Sequence, residues 1–419
     1  MSMSYEFRTR TITPADAEDP VHWRNFSRAE WRGFNDTPPS DDWLAHQLTV
    51  ELERGSVLRT AHAPALPGGE SDDVPVATWD EWVGSLNIGG ALVDVLQISS
   101  VTVAAPHRRR GILRRFMTDS LAAAAAAGVP IAALAVSDTR IYGRFGFGPA
   151  TYEESIEVLA DSREAVRGAD SGRVGYLPLD NLQETALRVF QRCHEATPGS
   201  IGRSRLTSDV SSHSLDEDRK PNQKIFAAAH WDADGAIDGY VTWKVKDGAV
   251  AQVLDLAAVT EEARLALWRL LIGLELIEKV TYASARVDEV LPPALPDSRR
   301  YKVRGRSDML WLRILDPASC LTARDYASDG RVILGIEDAM GYAAGTFALT
   351  VTGGRAEVCP ASAEPEVRLD AAGLSAVLLG GTRLGALAAI GLVLLSGARL
   401  PRWMWWGLSA GSLGGIAFV

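Results

Sequence analysis

The stretch VTVAAPHRRRGIL, Val101 to Leu113, decides how this chain is read. Its first half closes a Val/Ile/Leu-rich run that begins at Ala91 and breaks at Ala104, Ala105 and Pro106. Its second half is a basic turn, His107, Arg108, Arg109, Arg110 and Gly111, which opens directly into helix-forming sequence. That helix runs through the six alanines Ala122 to Ala127 and is ended by Gly128 and Pro130. Phosphate sites are built in this way. The first turn of a helix has backbone N–H groups without intrahelical partners, and the aligned peptide dipoles favour an anion there. Gly111 lets the backbone approach a pyrophosphate with no Cβ in the way. Arg108, Arg109, Arg110 and Arg114 gather positive charge at the same spot. The GxxxxGK[ST] pattern of a P-loop is absent, and GxGxxG does not occur at this turn. On charge alone, a solvated basic turn explains the arginines equally well.

Downstream, Ile131 to Val136 is wholly apolar and reads as a central strand. Ser137 and Asp138 then look like a helix N-cap and start a short helix carrying Tyr142. Upstream, Trp23, Phe26, Trp31, Phe34 and Trp43 fall on a helix, loop and helix, as core or as a substrate wall. Residues 62 to 75 are rich in Pro, Gly and acid and read as an exposed connection between strands. A second unit, 154–305, loosely repeats this order. It has a helix from Asn181 to Glu195, a hairpin around Asp232 to Gly235, a strand from Val250 to Leu256 and an amphipathic helix from Thr260, but no basic glycine turn. Met309 to Ile314 (MLWLRI) is expected to open a third unit, 306–419.

Bulk properties bound the rest. At about 150 residues per domain, 419 residues make about three domains. Hydrophobic residues at 47% and charged residues at 23% describe a soluble globular chain. A net charge of −10 excludes a global grip on nucleic acid phosphates, so no nucleic acid partner is expected. Cys193, Cys320 and Cys359 give neither a disulfide framework nor a thiolate metal spacing, which suits a reducing cytoplasm and no metal. Met1 to Asp19 lacks the plan of a secretory signal. Leu384 to Ala398 and Trp403 to Val419 are uncharged for fifteen and seventeen residues, short of the roughly 20 that cross a bilayer. They read as a buried helix and an apolar tail packed inside, with no membrane span. Asp232 to Gly235 looks like a calcium-loop fragment, but its twelfth position is Trp243 where a carboxylate is required, so it is a turn. His107 is read as shaping its turn, and His194 beside Cys193 as chance adjacency.

The run Arg108-Arg109-Arg110-Gly111-Ile112-Leu113 resembles the acyl-CoA signature Arg/Gln-x-x-Gly-x-Gly/Ala of the GNAT acetyltransferase superfamily, with Leu113 in place of the small last residue. One branch shares that departure. From Val101 to Gly148, closing with IYGRFGFG, the chain is similar to the Eis (enhanced intracellular survival) family of N-acetyltransferases. Ala266 to Arg269 (ALWR), Leu310 to Arg313 (LWLR) and Leu378 to Leu387 resemble it too, so the similarity spans nearly the full chain. It implies an α+β architecture of two tandem GNAT-like domains, each a mixed sheet flanked by helices, followed by a sterol-carrier-protein-like α+β domain. Residues 1–153 would bind acetyl-CoA, 154–305 would lack the cofactor, and 306–419 would supply the terminal carboxylate. Family members assemble as hexamers, so a homohexamer is expected.

Carried onto this sequence, Val101, Thr102 and Val103 would hold the pantetheine through strand-like hydrogen bonds. Arg108, Arg109, Arg110, Gly111, Ile112, Leu113 and Arg114 would wrap the pyrophosphate, and Ser137 and Asp138 would touch the cofactor. Tyr142 would be the general acid and the carboxylate of Val419 the general base. Family members usually finish on an aromatic residue, whereas this chain finishes with Phe418 and Val419. The roles are chemically coherent. An alkylamine with pKa near ~10.4 must lose protons to attack a thioester, and a phenol with pKa ~10 stays protonated and can donate to the leaving thiolate. The acceptor implied is an aminoglycoside-like polyamine or a lysine, with Trp31, Phe34, Asp36 and Trp43 suited to a cationic, hydroxyl-rich ligand. Transfer of a longer acyl group, as in N-myristoyl transferases, and CoA or lipid binding without turnover stay open.

Overall fold

Six early segments with strand-like composition form most of one sheet: β1 (Glu6–Thr11), β2 (Val57–His62), β3 (Ala77–Asn87), β4 (Leu92–Val103), β5 (Ile131–Ala135) and β6 (Gly148–Pro149). The computed structural model describes residues 4–37, 39–160, 166–168, 172–216 and 219–395. β1 to β4 run antiparallel in order, and β4 pairs parallel with β5. Helices α1 (Pro14–Glu18), α2 (Val21–Gly33) and α3 (Asp41–Arg54) precede β2, and α4 (Ile112–Ala126) connects β4 to β5. Ile112, Phe116, Met117 and Leu121 of α4 pack against Trp79, Leu96, Ile98 and Leu134, a stripe at helical spacing meeting one sheet face. α2 and α3 cover the opposite face through Trp23, Phe26 and Leu48, which meet Leu58 of β2. β5 is apolar because both of its faces are covered, and Ile131, Ala132, Ala133 and Leu134 are at most 1% exposed. After it comes the short helix α5 (Thr139–Tyr142), N-capped by Asp138 as the sequence indicates.

Strand β4 is kinked. Its pairing with β3 shifts between Thr78 and Asp80, and Ser100 has the left-handed φ of 53° that such a bulge produces. Pairing of β4 with β5 covers only Val95 to Ile98. Beyond Ile98 the two strands part, so the peptide groups of Val101 to Val103 on that side have no strand to bond.

The second sheet comprises β7 (Tyr152–Leu159), β8 (Arg173–Tyr176), β9 (Phe226–Trp231), β10 (Ile237–Lys246), β11 (Val250–Ala258), β12 (Lys279–Arg286) and β13 (Tyr301–Asp308). Helices α6 (Leu182–Ala196), α7 (Arg205–Ser212), α8 (Glu261–Ile272) and α9 (Leu291–Ala294) accompany it. The turn between β9 and β10 is the one expected at Asp232, whose Oδ1 accepts from Asp234 N at 3.0 Å and Ala236 N at 2.8 Å. β14 (Leu310–Ile314) departs from expectation. It does not open the third unit but returns to the first sheet, between β5 and β6. The reason is burial: all five residues, the ion-paired Arg313 included, are buried, and a strand covered on both faces needs a central slot.

The third unit has α10 (Pro317–Thr322), β15 (Gly330–Glu337), β16 (Gly345–Thr352), β17 (Arg355–Pro360), β18 (Val367–Asp370), α11 (Ala371–Leu378), α12 (Leu384–Ala389) and β19 (Val393–Leu395). Its sheet runs β17-β16-β15-β18-β19. α11 lies directly on the first sheet, so a Cβ on Gly148 would fall 2.1 Å from the carbonyl oxygen of Ala372. The buried helix expected over Leu384–Ala398 is not formed as such. α12 stops at Ala389, Gly391 turns the chain with φ 77°, and Ile390, Leu392 and Leu394 are exposed. The apolar tail 403–419 lies outside the described residues. Among the described residues no helix is long and apolar enough to cross a membrane.

Candidate active site

A cleft of about 830 Å³ opens where β4 and β5 part. One wall is the free edge of β4, Val101 to Val103. The end wall is the mouth of α4, where Gly111 is the N-cap with φ 83° and no side chain to satisfy the first-turn N–H groups. Space around that glycine is open, so its role here is conformational: a side chain would be strained by φ alone. Arg109 shares the left-handed geometry with φ 61°. Arg108, Arg109, Arg110 and Arg114 all line the cleft with Ile112 and Leu113. Arg108 is braced by its Nε, which donates to the carbonyl of Val103 at 3.1 Å. Unsatisfied helix N–H groups and four guanidinium groups at one point form an anion site of the kind a diphosphate fits.

The far wall comes from β5 and α5. Ser137, Asp138, Ile141, Tyr142 and Arg144 line it. Asp138 accepts from the Arg140 N–H at 3.1 Å and pairs with the Arg140 guanidinium at 2.8 Å, and these bonds hold its carboxyl down at about 2. Tyr142 is 5% exposed and packs edge-on against Phe147, with ring centres 6.1 Å apart. Burial, reinforced by the Asp138 charge, pushes its phenol up to about 12, so the proton stays on the oxygen throughout the neutral range. Behind it Gly146, at φ 84°, leaves room for the Arg313 guanidinium. Arg313 is fully buried and pairs with Asp338 at 2.6 Å, which ties this loop to the third unit.

The substrate-facing candidates divide. Phe34 lines the cleft and is 53% exposed. Asp36 is exposed on the following turn, its Oδ1 accepting from Thr37 N at 2.7 Å. Trp31 lies on α2 with its indole N–H buried and bonded to no described residue. Trp43 lies on α3 under the guanidinium of Arg219 from the second unit, 4.5 Å from its ring centre. Val419 lies outside the described residues. Gly33, His107, Ile141 and Arg144 line the cleft without having been singled out as ligands. For Arg144 the signal was present in IYGRFGFG, and for Gly33 it was not, because its closeness to Thr102 is tertiary.

The second sheet repeats the splay but not the opening. β11 and β12 pair in parallel only from Val250 to Val253, and about 20 Å³ remains where they part. Arg264 fills the space, its Nε donating to Glu289 at 2.9 Å and 3.0 Å. Arg203 pairs with Asp255 at 2.8 Å, and the Tyr240 hydroxyl donates to the same carboxylate.

Comparison with known proteins agrees with this architecture. Acetyltransferase (GNAT) domain models match residues 25–150 and 199–314, and a sterol carrier protein domain model matches 317–402. An uncharacterised N-acetyltransferase of Streptomyces avermitilis is 35% identical over 333 residues, 76% of this chain and 79% of that protein. The N-acetyltransferase Eis of Mycobacterium tuberculosis is 34% identical over 326 residues, 75% of this chain and 78% of the relative. Among solved structures, Eis1 from Mycobacterium abscessus superposes with a TM-score of 0.79 at 26% identity, covering 99% of this chain and 100% of that one. A GCN5-related N-acetyltransferase from Anabaena variabilis shares the fold, with a TM-score of 0.77 at 18% identity over 97% and 98% of the two chains. Two GNAT domains, a sterol-carrier domain and relatives matched over most of their length lead to one assignment: the chain is an N-acetyltransferase of the Eis family.

Proposed function

We propose that this enzyme transfers acetyl from acetyl-CoA directly to a primary amine of an aminoglycoside-like polyamine or a lysine, with no covalent enzyme intermediate. GNAT acetyltransferases take acetyl-CoA as the acyl donor. The reading rests on one observation: the mouth of α4 with its arginines, the phenol of Tyr142 and the unpaired edge of β4 line the same cleft.

In this reading residues 1–153 carry the chemistry, 154–305 hold no cofactor, and 306–419 deliver the chain's end. Arg108, Arg109, Arg110 and Arg114 with the N–H groups after Gly111 grip the pyrophosphate, and Val101 to Val103 pair with the pantetheine amides as a strand would. Ser137 and Asp138 bound the far side. Tyr142 offers its proton to the charge developing on the CoA sulfur, and the carboxylate of Val419 accepts a proton from the amine. Phe34 at the cleft mouth and Asp36 beyond it suit a cationic acceptor, by ring contact and by charge. Assembly is proposed as a homohexamer, to be read from the solution mass by light scattering.

The decisive assay follows thiol release from acetyl-CoA against a panel of amines, repeated with longer acyl-CoAs. Turnover with acetyl-CoA and polyamines supports the reading. A preference for long acyl chains, or binding of acetyl-CoA with no turnover for any amine, overturns it. A tag fused directly behind Val419 should abolish turnover and spare acetyl-CoA binding.

A further inference from the structure

On the sheet face beneath α2 and α3, the bulge of β4 meets a group of side chains that cofactor binding does not use. Glu30, near the end of α2, accepts a hydrogen bond from Ser100 Oγ at 2.5 Å. Ser100 is half-buried on the bulge and adjoins Val101, which lines the cleft. Gly33 and Phe34, about one helical turn past Glu30, line it as well. The charged groups facing Glu30 are Asp80 from β3 and Glu51 and Arg54 from α3. Arg54 binds both of those carboxylates, Asp80 at 2.5 Å and Glu51 at 2.7 Å, and its guanidinium lies 3.6 Å from the ring centre of Trp82. Asp80 is 2% exposed, and its Oδ1 takes no hydrogen bond from any described residue.

Three carboxyl groups therefore converge on one guanidinium, and the set cannot carry all its charges out of water. It holds protons instead. Burial pushes Glu30 up to about 7 and Asp80 up to about 8, and raises Glu51, against the pull of Arg54. A carboxyl group poised in that range is an effective base at neutral pH.

The proton count of the reaction calls for such a group. An ammonium R–NH3+ that ends as R–NH–CO–CH3 sheds two protons, and one terminal carboxylate takes one. The geometry points to Glu30, acting through the hydroxyl of Ser100, as the acceptor of the first proton, the one that must leave before the nitrogen can attack. The amine proton passes to Ser100 Oγ while the Ser100 hydroxyl proton passes to Glu30. The N–C bond then forms and the C–S bond breaks. The second N–H proton goes to the chain's carboxylate and the sulfur takes the Tyr142 proton; Glu30 and the terminal carboxyl group then lose their protons to solvent, and Tyr142 regains one. This inference rests on the amine acetylation proposed above.

The test measures kcat/KM of the full chain with acetyl-CoA and two acceptors over a pH range: an alkylamine, protonated at neutral pH, and methoxyamine, already neutral there. Glu30→Gln should lose about a hundredfold with the alkylamine near neutrality, a base-catalysis magnitude, and stay close to wild type with methoxyamine. The acidic limb of its pH profile should move. Ser100→Ala should show the same selective loss and carries the test alone if Glu30→Gln does not fold. An equal loss with both amines, no loss, or an unmoved acidic limb overturns the relay while leaving the acetyltransferase reading intact. A wild-type chain that acetylates neither amine overturns both.

Discussion

The first and second sheets build the same frame and finish it differently. In each, two parallel strands joined by a helix pair over four residues and then part. At the first helix mouth Gly111 offers no cap and arginines crowd the opening. At the second, the Thr260 side chain accepts from Ala263 N, and Glu261 and Glu262 occupy the first turn. Those acids complement the helix dipole and repel a pyrophosphate. The interior follows suit: one gap stays open at about 830 Å³, and the other is closed by Arg264, Glu289, Arg203 and Asp255 to about 20 Å³. A splayed strand pair stays an open cleft only where the chain withholds its own caps and counter-charges.

The largest break in that contrast should come from Tyr142→Phe. We expect a fall of about a thousandfold in kcat, within the range for a lost general acid, with acetyl-CoA affinity unchanged by calorimetry. A matching loss of affinity would make the phenol a binding group. In the closed gap, Arg264→Met leaves Glu289 buried and unpaired and should cost about 3 to 5 kcal/mol in urea unfolding. Adding Glu289→Met should recover most of that. Weaker acetyl-CoA binding in either variant would mean the second gap is not merely filled. Arg108→Ala with Arg110→Ala should weaken acetyl-CoA about a hundredfold, from charged hydrogen bonds of about 1.5 kcal/mol each, and flatten the salt dependence of binding.

The smallest effect concerns the carboxyl group under β4. Glu30 and Asp80 hold protons in the folded state up to about 7 and about 8 that the unfolded chain releases near 4.5 and 3.8. Their raised values make stability greatest below those unfolded values and let it decline as pH rises through 7 and 8. Chemical denaturation of Glu30→Gln across that range should show a shallower decline than wild type.

What could be read from sequence was what neighbours in sequence build. The glycine and arginines of residues 108–114 are contiguous, the Asp138 cap serves its own helix, and the Asp232 turn closes on itself. Contacts over distance were hidden. Nothing local says that Leu310 to Ile314 will seek β5 rather than the strand that follows it, because its apolar pattern asks only for two covered faces. Phe34 and Trp43 belong to one aromatic run, yet one meets the cleft and the other sits under Arg219. The bond from Ser100 to Glu30 spans seventy residues, and its only trace was a pair of serines interrupting an apolar strand.

The passage from β13 to β14 has a consequence for how the protein is made. One strand ends in the second sheet at Asp308 and the next begins in the first at Leu310. On the ribosome, at about 5 to 20 residues per second, the edges of β5 and β6 therefore wait roughly ten to thirty seconds for their missing neighbour. The half that holds the cleft cannot be finished before most of the polypeptide exists, and any attempt to express it as a free-standing fragment ending near residue 153 should deliver an open, aggregation-prone sheet.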